Sequence, residues 1–362
     1  MINDNFVAIS SLESPEHATR KDPKIISAVW FLGKRCNYDC SYCSPFIHDN
    51  YSPHIDIEIA EKFVDNLDKH CAAQGKQFKL TITGGEPFVH PHILRLLQYI
   101  KNKTACTQLV VTTNGTLPLK MYMKSLEYIT NLTVSLHLEE GNAATDETVD
   151  KIIKLSKVAN FFNVNIMAVP GHFDKMKETI EQFDKSDVNY IIRKIDPPTD
   201  DFEPNKKTKS QGLQEGKNES YLEDKKLHKD YNNSVFEKFW ETYYSRDEWE
   251  YLQGFEKPSS WNNTRLWFED GNFIETNSDE LKRRNQNNWQ GWHCYIGIDS
   301  INIQSDGTVY RGYCMAGTPM GNINTQLVFP EKPIVCPLKW CDCIADMTIR
   351  KVKNLDYKLF VE

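Results

Sequence analysis

The sequence predicts an α/β protein: a partial (β/α)6 barrel of the TIM type, followed by a small β-hairpin domain. Between residues 25 and 196, six short apolar runs alternate with segments of helical periodicity. Beyond residue 260, two Asp-Gly pairs sit between strand-like runs. Eight of the ten cysteines gather into two groups, one just after the first apolar run and one in the last fifth of the chain. Parallel neighbours in a sheet need crossover connections, so regular alternation of strand and helix argues for a parallel sheet.

Residues 1–24 read as an N-terminal extension without the charged start and apolar core of a secretory signal. The barrel is expected over residues 25–199. Its strands are Ile25–Leu32, Phe78–Thr83, Leu109–Thr113, Leu132–Leu138, Val164–Val169 and Tyr190–Ile195, most of them rich in β-branched and apolar residues as buried parallel strands are. Ile59, Phe63, Leu67 and Cys71 have helical spacing, as do Ile93, Leu96, Leu97 and Ile100, and Met176, Ile180 and Phe183. Six units fall short of a closed eight-fold barrel and fit a curved, partial one. In such folds the chemistry sits at the C-terminal ends of the strands. Residues 200–290 read as a polar linker, Asp201–Ser234, then a helix carrying Phe236, Phe239, Trp240, Tyr243 and Tyr244, then a hairpin about Asp270-Gly271. Residues 291–362 hold a second hairpin, Ile301–Ile303 with Val309–Arg311 about Asp306-Gly307, and the late cysteines.

The 362 residues carry 43 Lys and Arg against 50 Asp and Glu, a net charge of −7 with the signs intermixed. No basic stripe suited to nucleic-acid phosphates is present. No apolar run approaches the roughly 20 residues of a membrane span. The expectation is a soluble, cytoplasmic protein. In a reducing compartment, clustered cysteines point to metal rather than to disulfides. Cys71 and Cys106 stand alone and read as core thiols.

Cys36, Cys40 and Cys43 follow the first strand at gaps of three and two residues. Thiolates are preferred ligands of iron–sulfur clusters, and this spacing lets three sulfurs converge on one face of a cubane. A [4Fe–4S] cluster held by three thiolates leaves one iron open to a further ligand. Structural zinc wants four closed ligands; His48 is the nearby side chain able to serve as a fourth. The triplet resembles the CxxxCxxC motif of the radical S-adenosylmethionine (radical SAM) superfamily. That resemblance implies an open iron binding the amino and carboxylate groups of S-adenosylmethionine. It also implies reductive cleavage to a 5′-deoxyadenosyl radical that abstracts hydrogen from a substrate. It places Tyr42, the aromatic residue before the third cysteine, beside the adenine.

Gly84, Gly85, Glu86 and Pro87 end the second strand and resemble the family's GGEP element, which contacts the methionyl amine; two glycines also let a backbone come close to a ligand. Thr113 and Asn114 end the third strand, as cofactor contacts or as a turn. Ser135 and His137 alternate on the fourth strand and share one face. The resemblance puts Ser135 near the cofactor ribose or carboxylate, while His137 is either a substrate or proton-transfer residue or a satisfied core histidine. Arg193, among Ile191, Ile192 and Ile195, needs a partner for its charge, either the cofactor carboxylate or a structural one.

Cys294 and Cys314 bracket the second hairpin, and Cys336, Cys341 and Cys343 follow. The group resembles the Twitch and SPASM auxiliary-cluster domains, implying one further [4Fe–4S] cluster on four of the five thiols; structural zinc is the alternative. It departs from them in spacing, with Gly307 further than usual from Cys314 and a closing CxxxxCxC. The implied partners are a reductant such as flavodoxin or ferredoxin and a substrate. The short stretch before Ile25 leans toward a small polar metabolite, such as a sugar or cyclitol derivative, over a ribosomally made peptide. A non-catalytic zinc or iron–sulfur electron carrier is the remote alternative; it has no use for an open iron or for the GGEP element.

Overall fold

The computed structural model describes residues 6–11, 25–43, 47–195, 241–255, 263–284, 286–341 and 343–356. The polar linker and Phe236, Phe239 and Trp240 lie outside the described residues, whereas Tyr243 and Tyr244 lie inside them.

All six barrel strands form: β2 (Ile25–Phe31), β3 (Gln77–Thr83), β4 (Cys106–Thr113), β5 (Asn131–Leu136), β6 (Phe162–Ala168) and β7 (Tyr190–Lys194). Each pairs in parallel with the next in the order β2-β3-β4-β5-β6-β7. The connecting helices are α1 (Ile57–Ala73), α2 (Ile93–Lys101), α3 (Leu119–Ser125), α4 (Asn142–Ser156) and α5 (Phe173–Lys185). The carboxylate of Asp56 caps α1 by accepting from the Glu58 and Ile59 amides, and Ile57, Ala60, Phe63, Val64, Leu67 and Cys71 form its buried face. That face meets Trp30, Phe78, Leu80 and Ile82 on the strands. Burying a side chain of this size is worth about 1.5–3 kcal/mol.

The strands do not bury both faces equally. Along β3, Phe78, Leu80 and Ile82 are buried against the helices, while Gln77, Lys79, Thr81 and Thr83 on the other face are half-exposed. On β5, Leu132, Val134 and Leu136 face the helices and Thr133 and Ser135 face the opposite side, with His137 just past the strand's end. A partial barrel keeps its inner face open, so that face is polar where a closed barrel would fill it with aliphatic layers.

The Asp306-Gly307 hairpin is part of the barrel sheet. β11 (Ser300–Ile303) pairs in parallel with β2, Ser300 opposite Ser27 and Ile303 opposite Trp30, so seven parallel strands stand side by side. β12 (Thr308–Tyr310) and β13 (Gly321–Asn322) continue the sheet antiparallel, making nine strands. A second sheet has the order β14-β10-β15-β1-β8-β9. It joins β1 (Phe6–Ser11), from the stretch read as an extension, to the Asp270-Gly271 hairpin, β8 (Asn263–Phe268) and β9 (Phe273–Asn277). On its other side β1 pairs with β15 (Lys351–Val352), which leads to β10 (His293–Cys294) and β14 (Ile334–Val335). Helix α6 (Arg246–Gly254) carries a Ser245–Glu248 capping box. Just before it, Tyr244 accepts from the Ile195 amide at 2.9 Å and donates to the Ala168 carbonyl at 2.8 Å, tying the ends of β6 and β7 together. Among the described residues, no helix is long and apolar enough to cross a membrane.

Candidate active site

The loop after β2 carries the first three cysteines and is held from three sides. From β3, the Glu86 amide donates to the Arg35 carbonyl at 2.9 Å. Gly85 lies so close beneath the loop that a Cβ there would come within 2.6 Å of the Lys34 carbonyl and closer still to that of Arg35. A Cβ at Gly84 would meet the Phe31 Cα at 2.8 Å. Both glycines have positive φ, +86° and +46°. In this structure the close approach they allow is to the cysteine loop.

Glu86 is fully buried. Its carboxyl accepts from the Phe88 amide at 2.9 Å, the Thr113 hydroxyl at 2.7 Å and the Asn114 amide at 2.6 Å. Burial outweighs these three donors and pushes the carboxyl up to about 7. Pro87 opens a single 3₁₀ turn, Pro87–Val89, capped by the same carboxyl. Thr113 and Asn114 are thus fixed to the glycine turn. From β4, the Asn114 side chain donates to Asn37 Oδ1 at 2.9 Å and to Cys36 Sγ at 3.7 Å, and Asn37 donates to Thr116 Oγ1 at 2.7 Å.

From β5, His137 stacks on Tyr42, its Nδ1 hydrogen-bonded to the Tyr42 hydroxyl and 3.4 Å from Cys40 Sγ. Burial drives the imidazole down to about 4, so it is neutral near pH 7. Glu139 accepts from both the amide and the hydroxyl of Ser41. Asn37 and Glu139 were not singled out from the sequence; the usable signal was their place, one inside the cysteine loop and the other just past a barrel strand. His48 donates to the Tyr38 carbonyl at 2.5 Å and lies 3.9 Å from Asp39, so its ring is occupied in bracing the loop.

The structure thus brings Cys36, Cys40, Tyr42, Asn114 and His137 into one contact network, held by Glu86. Ser135 lies on β5, two residues before His137. Arg193 lies further around the sheet, opposite Met167, and donates to Asn165 Oδ1 at 3.4 Å. No carboxylate is among its contacts in the described residues, so the structural ion pair is not seen there.

The donor set suits a cluster of cations. Burial raises all three thiols, Cys43 to about 12, and the neighbouring sulfurs add to the effect at Cys40 and Cys43. Without positive charge among them they stay protonated; coordination to iron offsets that cost. Cys36 Sγ also accepts from the Tyr38 amide at 3.4 Å, as a thiolate does. No three His, Cys, Asp or Glu among the described residues are gathered tightly enough for a single metal ion. Thiolates sharing a cubane do not need that closeness.

The late cysteines form a second group. Cys294, Cys336 and Cys341 belong to the buried cluster of the second sheet with Phe6, Ile9, Leu266 and Trp289, and Cys314 packs against it. None is in a disulfide. Burial raises the thiols of Cys294, Cys314, Cys336 and Cys341, Cys294 to about 11, and the neighbouring Cys294 and Cys343 add to the effect at Cys341. Asp346 accepts from the amides of Tyr313 and Cys314 at 2.9 and 2.5 Å, fixing the turn that presents Cys314. Cys71 is buried on α1, and Cys106 opens β4.

Residues 30–183 match the family model described as the Radical SAM superfamily. Among curated proteins, the GTP 3′,8-cyclase of Desulforamulus reducens is 37% identical over 83 residues, 23% of this chain and 25% of that protein. That of Alkaliphilus oremlandii is 28% identical over 159 residues, 41% of this chain and 48% of that protein. The chain thus spans a quarter to about half of these relatives' length. Among solved structures, native anSMEcpe with bound AdoMet superposes with a TM-score of 0.45 at 15% identity, over 84% of this chain and 79% of that one. The matched segment runs from β2 through α5 and contains the three-cysteine loop, the Gly-Gly-Glu-Pro turn and the network that joins them. Residues 30–183 thus form a domain that matches the Radical SAM superfamily.

Proposed function

We propose that the chain is an enzyme that cleaves S-adenosylmethionine at a [4Fe–4S] cluster on Cys36, Cys40 and Cys43 and abstracts hydrogen from a small polar substrate. The observation that carries this reading is the three-thiol loop clamped to the ends of β3, β4 and β5, inside a segment that matches the superfamily model. When bound, the reduced cluster supplies the electron that breaks the sulfonium carbon–sulfur bond. The rest falls to the chain. Gly84 and Gly85 hold the loop in place and present backbone carbonyls to the methionyl ammonium. Tyr42, set by His137, packs against the adenine, and Asn114 steadies Cys36. Ser135 and Arg193, on the inner face, hold the ribose and the carboxylate.

A second centre, an auxiliary [4Fe–4S] cluster on four of Cys294, Cys314, Cys336, Cys341 and Cys343, is supported by the buried cluster that Cys294, Cys336 and Cys341 share and against which Cys314 packs. Flavodoxin or ferredoxin is the reductant class we propose. For the substrate, Lys79, Thr81, Ser135, Asn163 and Asn165 give the inner face hydrogen-bonding groups suited to a sugar-like or cyclitol-like molecule. GTP is a second candidate, because the curated relatives are named for it.

The test is anaerobic reconstitution, reduction with dithionite and detection of 5′-deoxyadenosine. Sugars and cyclitols, GTP, and short peptides are each added in turn. The reading expects the nucleoside to form and one small polar compound to accelerate it. Acceleration by a peptide alone would move the substrate to the ribosomal-peptide class. No nucleoside with any of them would contradict the reading.

A further inference from the structure

Lys351 lies on β15, opposite Cys294 of β10 and beside Ile9 of β1. It is 1% exposed, the more deeply buried of two buried lysines among the described residues. The other, Lys151, has Glu147 at 3.3 Å. Lys351 Nζ instead donates to three carbonyls, those of Asp346 at 2.6 Å, Met347 at 3.1 Å and Ile349 at 3.0 Å. Three acceptors use three N–H bonds, which only the ammonium form has.

This is a full positive charge, removed from water, and among the described residues no carboxylate is one of its hydrogen-bond partners. The carboxylate of Asp346 is engaged with the amides of Tyr313 and Cys314. Cys294 is its cross-strand neighbour, and the groups whose negative charge favours the ammonium are Cys294, Cys341, Asp346 and Cys336. A buried charge of this kind persists where an opposite charge shares its surroundings. Four thiolates on an iron–sulfur core carry that opposite charge, and its magnitude grows by one when the cluster is reduced.

We infer that Lys351 is a positioning residue whose buried ammonium favours the reduced state of the auxiliary centre and so raises its reduction potential. The inference rests on the auxiliary-cluster reading above. It adds a role for a residue that is not a ligand and that nothing in the cysteine spacing indicates. By holding three carbonyls of the 346–349 turn, Lys351 also fixes the segment from which Asp346 reaches the Cys314 turn.

The experiment compares the full chain with three Lys351 variants and with Cys294→Ala/Cys341→Ala. It reads iron and sulfide per chain and the reduction of each cluster by EPR at set potentials. The intact chain is expected to hold about eight irons, and the double cysteine variant about four. If the double variant holds as much iron as the intact chain, the auxiliary reading fails and this inference falls with it. Given the second cluster, Lys351→Met and Lys351→Gln are expected to raise its oxidised-to-reduced ratio at least tenfold at a fixed potential, 59 mV for one electron. Lys351→Arg is expected to stay within about threefold, and the first cluster should be unmoved in all three. Loss of the second cluster from both neutral variants but not from Lys351→Arg supports the same role. An unchanged ratio in a fully loaded neutral variant would overturn it. So would an equal effect of all three substitutions, which would make the role one of shape rather than charge.

Discussion

The residues that organise the active site act through what they hold. Gly85 sits at φ +46° with two loop carbonyls over it, so a methyl group there would push the cysteine loop away. Gly85→Ala is expected to cost at least about 2 kcal/mol and to lower iron incorporation at the first cluster. Gly75 also has a positive φ, but with open space around it; Gly75→Ala should cost about 1 kcal/mol and leave iron unchanged. Thermal melts and iron counts on the two variants check this. Glu86 makes a pH-dependent contribution. Its folded value near 7 lies above the ordinary 4.5, so the folded chain keeps a proton that the unfolded chain releases. The stability this gives is whole below about pH 4.5 and is lost as the pH rises to about 7. Urea unfolding of the metal-free chain should show a decline of up to about 3 kcal/mol over that window that Glu86→Gln lacks. Parallel profiles for the two would contradict it. In the sequence, the cysteine triplet and the glycine turn were legible as motifs, and the structure brings them together. That the glycines serve the loop above them was not, because Lys34 and Arg35 are fifty residues away.

At the scale of elements, periodicity located the six barrel strands well, since each has one face packed on helices and so carries an alternating or continuous apolar signal. Both Asp-Gly hairpins were legible from their turns. What periodicity does not hold is pairing. Ser300–Ile303 reads as one arm of a hairpin, and nothing in those four residues shows that its other edge joins β2 in parallel. The link between β6 and β7 was hidden for the same reason: Tyr244 reads as one more aromatic on a helix, yet its hydroxyl satisfies an amide and a carbonyl on two strands. Tyr244→Phe leaves both without that partner. It is expected to destabilise the chain by about 2–3 kcal/mol in urea unfolding, and a change under about 0.5 kcal/mol would show that the contact is dispensable.

At the scale of the whole molecule, the second sheet is assembled from distant parts of the chain. Phe6–Ser11 lies between strands that begin at residues 263 and 351. Its apolar run Phe6–Ile9 was visible, but six residues without a turn or a neighbour read as an extension. Removing residues 1–11 should expose the edges of β8 and β15 and abolish amide hydrogen-exchange protection across β8 and β9, while β3 to β6 keep theirs. Unchanged protection in β8 would show that β1 is not needed to hold the sheet. The late cysteines were legible as a group from their clustering, and Cys294, Cys336 and Cys341 do share one buried cluster with Cys314 packed against it. Lys351 was not, because a lysine in sequence gives no sign of being buried.

The central claim is that three thiols hold a cluster with an open iron that takes S-adenosylmethionine. The most direct measurement is the EPR spectrum of the reduced, reconstituted chain with and without S-adenosylmethionine, beside Cys40→Ala. The account predicts that the cofactor shifts the spectrum of the intact chain, and that the variant shows neither that cluster nor the shift. A fully loaded, reducible cluster on Cys36, Cys40 and Cys43 whose spectrum ignores saturating S-adenosylmethionine would contradict it.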